Sequence, residues 1–313
     1  MTTPKAVRTP QTSRARSGAR RLKPNAGHWF LLPYLVFLTA FGVGPAVAAL
    51  VISFSGTDAG MPDYFNLTTD GFRTVFDDFR LGPALSNMAK FVVIALPMLM
   101  VGVVGLALVL HARSGVYSAA LRSAYFLPGA VSGPTAVLVA IFMFDPSVSP
   151  FGPALRSMGL TSVTQITAPG NLPLLFALIA FFVGAGGWIA IFIGGLNGIS
   201  QEVLDAARVD GANAWHVAVH IKLPLVAPYI VYMLILTFTA SVQLFAEPQL
   251  LASAGVPISE TWSPNQLGYV YAFEQADFGA AAAMSMLMLV IGLGSAVLIL
   301  RTTRIFSVDS EDR

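Results

Sequence analysis

The 313-residue chain contains no cysteine. That excludes a disulfide framework, a thiol nucleophile and any thiolate-held metal or iron–sulfur site, and leaves the redox compartment open. Charge is scarce too: 11% of residues are Asp, Glu, Lys or Arg, against about 25% in an average soluble domain. The four histidines are scattered and lack the H-E-x-x-H spacing of a zinc hydrolase. No G-x-x-x-x-G-K-[ST] loop is present to cradle nucleotide phosphates. No set of histidines and carboxylates shares one depth, which disfavours a multipass membrane enzyme. What the chain has in excess is apolar side chain, at 55%. A single water-soluble core cannot hide that much, so lipid must be the solvent for much of it.

Six apolar runs are each long enough to cross about 30 Å of hydrocarbon at about 1.5 Å per residue. They lie near Trp29–Phe54, Phe91–Leu110, Ser118–Phe144, Leu172–Leu196, Leu225–Leu244 and Phe278–Leu300. The fold class they predict is an all-α membrane protein with six transmembrane helices. The organisation reads as a basic tail (1–28), a first helix with its outer loop (29–83), a five-helix membrane domain (84–304) and a short tail (305–313).

Basic residues set the orientation. With the N-terminus inside, the inner segments hold Lys5, Arg8, Arg14, Arg16, Arg20, Arg21 and Lys23, then Arg113, Arg122, Arg208, Lys222, Arg301, Arg304 and Arg313. The outer side holds Arg73, Arg80, Lys90 and Arg156, so fourteen stand against four and the positive-inside rule is met. Both termini are then cytoplasmic. The tail before His28 carries no acid and too little apolar surface to order its backbone, which suits a disordered segment held at anionic lipid better than a nucleic-acid arm. Arg20-Arg21, the apolar run and Ala46-Val47-Ala48 also mimic a cleavable signal peptide, although the run is long for one and Pro45 sits beside the site.

Between the spans, Ser55 to Pro83 carries Asp58, Asp63, Asp70, Asp77 and Asp78 and reads as a solvated outer loop, its acids spaced too widely for an EF-hand. The third span contains Pro128-Gly129 and Gly133-Pro134, which predict a kink or a break. Such a break suits a cavity lining, and its small residues equally suit close packing on a neighbouring helix. The last outer loop, Glu247 to Asp277, has acids and no base, with Trp262, Tyr269, Tyr271 and Phe273 as interface anchors or a docking surface.

No acid or histidine falls in the middle of a span, and no inverted repeat is evident, so the marks of an ion-coupled transporter are missing. A passive channel or a subunit driven by another chain remains. The amphiphilic loop 200–224 decides between them. Ser200 is placed to cap a short helix, Glu202 complements its dipole, and Gly211 suits a left-handed stop. A second helix from about Ala212 carries Trp215, Ala218 and Val219 on one face, and Leu223-Pro224 is expected to end it. Helices this short are marginal alone and become worthwhile when they dock into a partner's groove. An interfacial helix lying on lipid would be rich in Lys and Arg; here Glu202, Asp205 and Asp210 face Arg208 and Lys222.

The stretch Asp205-Ala206-Ala207, three residues, Gly211, nine residues, Ile221-Lys222-Leu223-Pro224 resembles the EAA coupling loop of ABC-importer permeases. Arg122-Ser123-Ala124-Tyr125-Phe126-Leu127-Pro128-Gly129, Tyr271-Ala272-Phe273 and Phe278-Gly279-Ala280-Ala281-Ala282 add similarity to the carbohydrate-uptake branch, of the maltose and glycerophosphate type. The resemblance implies a type I importer permease fold, and a heterodimer with a second permease. It also implies two cytoplasmic ATPase subunits that hold ATP and Mg, and an external solute-binding protein. On this reading the chain binds no cofactor or metal, is no enzyme itself and has no nucleic-acid partner. By position, Asp205, Ala206, Ala207 and Gly211 form the coupling core, and Leu223-Pro224 leads into the fifth span. Two departures stand out. Asp205 replaces the family's usual Glu, so that its contact is shifted or taken over by Glu202. Ala254-Gly255-Val256-Pro257 replaces a Gly-Gly-Pro.

For a sugar, hydroxyls, an amide and stacking rings are the suitable lining. Trp188 in the fourth span and Tyr232, Thr237, Thr239 and Gln243 in the fifth are the candidates, against ordinary interhelical hydrogen bonding; Asn197 reads as an inner-end cap. A non-sugar solute such as glycerophosphate, a polyamine or a sulfonate shares the coupling loop, but its charge has no visible counter-charge in the spans.

Overall fold

A computed structural model describes residues 27–58, 61–112, 115–131 and 133–303. The expected tails fall outside these residues, except that Gly27 and His28 already belong to the first helix. The chain divides into two units, residues 1–47 and 48–313.

In the first unit, α1 (Gly27–Phe37) runs through a widened π turn (Leu38–Val43) into the start of α2 (Gly44–Ser53). Gly44 donates five residues back to Thr39, just ahead of Pro45, which has no N–H to continue the ladder. Trp29, Tyr34, Phe37 and Phe41 are all exposed. A helix that is apolar on every side is a membrane span.

In the second unit, the segment read as a solvated outer loop is largely structured. An antiparallel ribbon pairs β1 (Ser55–Asp58) with β2 (Met61–Leu67), and α3 (Asp70–Asp77) follows. The ribbon is the one β element among the described residues. α3 lies against the start of the last helix, where a Cβ at Gly71 would sit 2.6 Å from the Gly279 carbonyl oxygen.

The central helix is α4, Leu81–Ala112, 32 residues long and therefore about 48 Å. It begins ten residues before the apolar run seen in the sequence. Its buried residues are Leu81, Ala84, Met88, Phe91, Ala95, Leu99, Val103, Ala107 and Leu110, a single stripe of three- and four-residue steps. Val93, Val101 and Val109 on its other faces are exposed, as suits contact with lipid.

The third run is broken. α5 (Val116–Phe126) passes into a 3₁₀ turn (Leu127–Ala130) and then α6 (Gly133–Phe144), with a bend of 111° between the two halves. Both sequence readings of its small residues hold. Pro128 and Val131 line a cavity, and a Cβ on Gly129 would lie 2.8 Å from the Val183 carbonyl oxygen.

α7 (Leu172–Asn197) packs along α4. Further helices, beside the short Gly152–Ser157 and Val163–Ile166 turns, are α8 (Gln201–Val209), α9 (Ala214–Val217), α10 (Ala227–Val242), α11 (Ala246–Ser253), α12 (Pro264–Tyr269) and α13 (Phe278–Thr302). Asn197 is the last residue of α7 and Gly198 its C-cap. Among the described residues five helices are long and apolar enough to cross a membrane, and the bent pair, counted as one span, brings the number to six. The protein is a helical, multi-pass membrane protein.

The core falls into three zones along the bundle. One gathers Phe91, Phe176 and Trp262, whose rings meet edge to face at 4.8 Å in the last two. A second joins Leu99, Val103, Ile189, Phe192 and Met233 from α4, α7 and α10. The third packs Val75, Met88, Tyr271 and Met284 around the start of α13.

Candidate functional site

The loop between α7 and α10 folds as two helical pieces about one glycine. Ser200 occupies the N-cap of α8 without a side-chain cap bond, and Glu202 lies in the first turn. Leu204 is the buried anchor of this helix. At its end Asp210 is the C-cap, the Gly211 N–H donates to Arg208 (3.1 Å) and the Ala212 N–H to Ala207 (2.9 Å). These two bonds are the Schellman motif, which needs a left-handed residue. Gly211 supplies it at φ +82°.

The second piece starts two residues later than the sequence suggests. Asn213 is its N-cap, its side chain accepting from the His216 N–H at 2.8 Å. Leu223-Pro224 does not end it. α9 passes through a π turn (Ala218–Lys222) and a short turn (Leu223–Leu225) almost directly into α10. The widened turn and the first-turn position of Pro224 and Pro228 absorb the missing N–H groups. The result is a near-continuous helical connection, hereafter the rod, with Ile221 and Leu223 half-buried along it.

Asp205 bonds Arg208 at 2.7 Å and Gln201 at 3.1 Å within its own helix. The shorter carboxylate is thus engaged locally, and Glu202 forms no ion pair among the described residues. Ala206 is exposed and Ala207 half-buried. The outward face carries Val203, Val209 at 86% and Trp215 at 75% exposure, apolar groups set among charges. His216 and His220 stack at 4.0 Å. Lys222 is named in the sequence motif, but its partner was not foreseen: it is buried, its Nζ 2.9 Å from His111 Nδ1 at the end of α4. Burial, and then the charge of Arg208, lower its pKa.

The five candidate path residues do not form one cluster. Trp188 and Tyr232 meet edge to face at 5.9 Å. Thr239 donates to its own helix at Ile235, 2.8 Å, the ordinary fate of a helical threonine. The Thr237 hydroxyl is buried without a partner. Gln243 is the exposed C-cap of α10. Separately, a cavity of about 440 Å³ lies between the halves of the broken span and α7, lined by Pro128, Val139, Met143, Phe144, Ile179 and Phe182 among others. Its walls are apolar.

A further polar centre ties the ends of α3 and α4 to the turn after α12. Asp78 accepts from Arg80 Nη2 at 2.7 Å, from Arg80 Nε at 3.0 Å and from the Arg80 backbone N–H at 2.8 Å. The Tyr271 hydroxyl donates to it at 2.7 Å, and the guanidinium lies 5.7 Å from the Tyr271 ring centroid. The Arg80 bonds hold the Asp78 pKa down to about 2. Burial, and then the bond to Asp78, push the Tyr271 hydroxyl upward. The only trace of this in the sequence is the D-x-R spacing and one tyrosine 193 residues away.

The geometry can be set beside known proteins. The family described as "Binding-protein-dependent transport system inner membrane component" matches residues 79–304. "Probable ABC transporter permease protein YesP" of Bacillus subtilis (strain 168) is 28% identical, over 92% of this chain and 93% of its own length. "Arabinooligosaccharides transport system permease protein AraP" of the same strain is 24% identical over 86% of each. "Diacetylchitobiose uptake system permease protein NgcF" of Streptomyces coelicolor is 27% identical over 78% of this chain and 72% of its own. Among solved structures, a chain of a bacterial ABC transporter involved in the import of the acidic polysaccharide alginate superposes with a TM-score of 0.74 at 18% identity. The match covers 90% of this chain and 95% of that one. That transporter has also been solved with an alginate pentasaccharide-bound periplasmic protein, again at TM-score 0.74. The fold is that of a type I ABC-importer permease, a transporter subunit and not an enzyme. The chain belongs to the binding-protein-dependent transport system inner membrane component family.

Proposed function

We propose that this chain is the permease subunit of an ATP-driven importer that carries a sugar, a mono- or oligosaccharide or a derivative, into the cytoplasm. It sits in the bacterial cytoplasmic membrane with both termini inside. It pairs with a second permease, rests on two cytoplasmic ATPase subunits that hold ATP and Mg, and receives its substrate from an extracytoplasmic solute-binding protein. The sugar class is supported by the relatives named for arabinooligosaccharides and diacetylchitobiose and by the uncharged character of Trp188, Tyr232 and Thr237.

One observation carries the coupling role. A two-piece helical element, turned at Gly211, presents Val209 and Trp215 outward and runs as a rod into α10. An apolar knob on a lever joined to a membrane helix suits a groove on a moving partner. Closure of the ATPase pair displaces Trp215, the rod transmits the displacement, and access to the path alternates. Glu202, Asp205, Arg208 and Asp210 surround the knob and set its charge complementarity.

The test is co-purification of the assembly after Gly211→Pro. The expected result is normal membrane insertion with loss of ATPase capture and of uptake. Normal ATPase capture by that variant counts decisively against the assignment.

A further inference from the structure

The last turn of a helix leaves carbonyls without N–H partners and carries partial negative charge. Two elements grip that end of α4. From α5, Ser118 Oγ and Arg122 Nη2 both donate to the Leu110 carbonyl, at 2.8 and 3.0 Å. From the rod, Lys222 Nζ reaches His111 Nδ1 at 2.9 Å. The two partners are 111 residues apart in sequence.

Lys222 is 8% exposed, and among the described residues no carboxylate lies within ion-pairing reach of it. The charges nearest the His111 ring are the cations Lys222 and Arg122. A buried ammonium without a counter-ion is costly. An exposed lysine on the same rod would extend into water at no such cost. The burial therefore favours a positional role over a solvating one.

We propose that Lys222 is a positioning residue. Through its hydrogen bond to His111 it fastens the coupling rod to the end of α4, so that displacement of the coupling element moves α4 directly and not only through α10. α4 packs along α7, the helix that carries Trp188, so motion reaches the candidate path from two sides. This inference rests on the coupling reading above.

The cysteine-free chain allows a clean single label. Val109→Cys places an environment-sensitive dye on α4 beside His111, at a residue 56% exposed. The full assembly, in lipid nanodiscs, is trapped with ATP and vanadate. The parent should show a spectral shift on trapping. Lys222→Met should lose most of that shift while still capturing and hydrolysing with the ATPase, and Lys222→Gln, which keeps an N–H donor, should restore it. His111→Leu should match Lys222→Met, and the double variant should be no worse than either single one. A shift in Lys222→Met equal to the parent's overturns the inference. So does a Lys222→Gln as defective as Lys222→Met, which marks packing alone, and so does a parent that shows no shift. A parent that captures no ATPase overturns the coupling reading itself.

Discussion

The Asp78 centre makes a quantitative prediction. Asp78 is held at a pKa of about 2 against the ordinary carboxylate value of 3.8, and its side chain is 9% exposed while that of Arg80 is 25% exposed. At about 1.4 kcal/mol per unit, the ionised carboxylate contributes about 2–3 kcal/mol to the folded state. The shift is downward, so this stability is fully present above the unfolded value and is lost as pH falls through the folded one. Asp78→Asn should therefore cost about 2–3 kcal/mol at neutral pH. The gap between parent and variant should close as pH falls from about 4 to about 2. Tyr271→Phe removes one donor to the same carboxylate and should cost about 1.5 kcal/mol. The assay is chemical or thermal unfolding of the detergent-solubilised protein, followed as the difference between parent and variant so that other titrating acids cancel. A neutral-pH difference below about 0.5 kcal/mol, the usual size for a surface substitution, would refute the reasoning. A difference independent of pH would refute it equally.

At Gly186 an added Cβ overlaps the Tyr125 carbonyl and lies 2.6 Å from the Phe126 Cα, while Gly187 has open space. Gly186→Ala should lower stability by about 1–3 kcal/mol in thermal melting, and Gly187→Ala should be close to neutral. Thr237→Val removes a hydroxyl that has no partner, so melting should hold or rise while sugar uptake falls; unchanged uptake removes Thr237 from the path. Gly211→Ala forces a Cβ residue into φ +82° at a cost of about 1 kcal/mol. It should weaken ATPase capture less than Gly211→Pro, as read by pull-down yield.

What the sequence made legible follows from local rules. Gly211 was readable because a left-handed stop after an amphiphilic turn is a position only glycine fills cheaply. The run from Phe91 to Leu110 was readable because it is apolar over a length that crosses the hydrocarbon, whereas which of its faces is buried was not. The earlier start of α4 was hidden, since Ser86, Asn87 and Lys90 look like a polar end. In the fold Asn87 donates to the Trp262 carbonyl at 3.2 Å, a partner no local window contains. Leu223-Pro224 misled for the opposite reason. Proline at a first-turn position costs little, and a widened turn took up the rest. Lys222 with His111, and Asp78 with Tyr271, are long-range pairs that leave no periodic signal at all.

The chemistry of the path argues that this chain provides only part of it. Each sugar hydroxyl stripped of water without a new partner costs about 1–3 kcal/mol. The cavity of about 440 Å³ lined by Pro128 and Phe144 has apolar walls and cannot return those hydrogen bonds. Three unpartnered hydroxyls would already outweigh the gain from burying one ring face. The groups that suit a sugar lie elsewhere, on α7 and α10. Tyr232 is 53% exposed against Trp188, and the Thr237 hydroxyl has no partner of its own. An open aromatic edge is what one wall of a sugar route looks like before the facing wall is supplied. On the proposed assignment the second permease of the heterodimer would supply that wall, and the coupling element carrying Trp215 would move the two walls against each other.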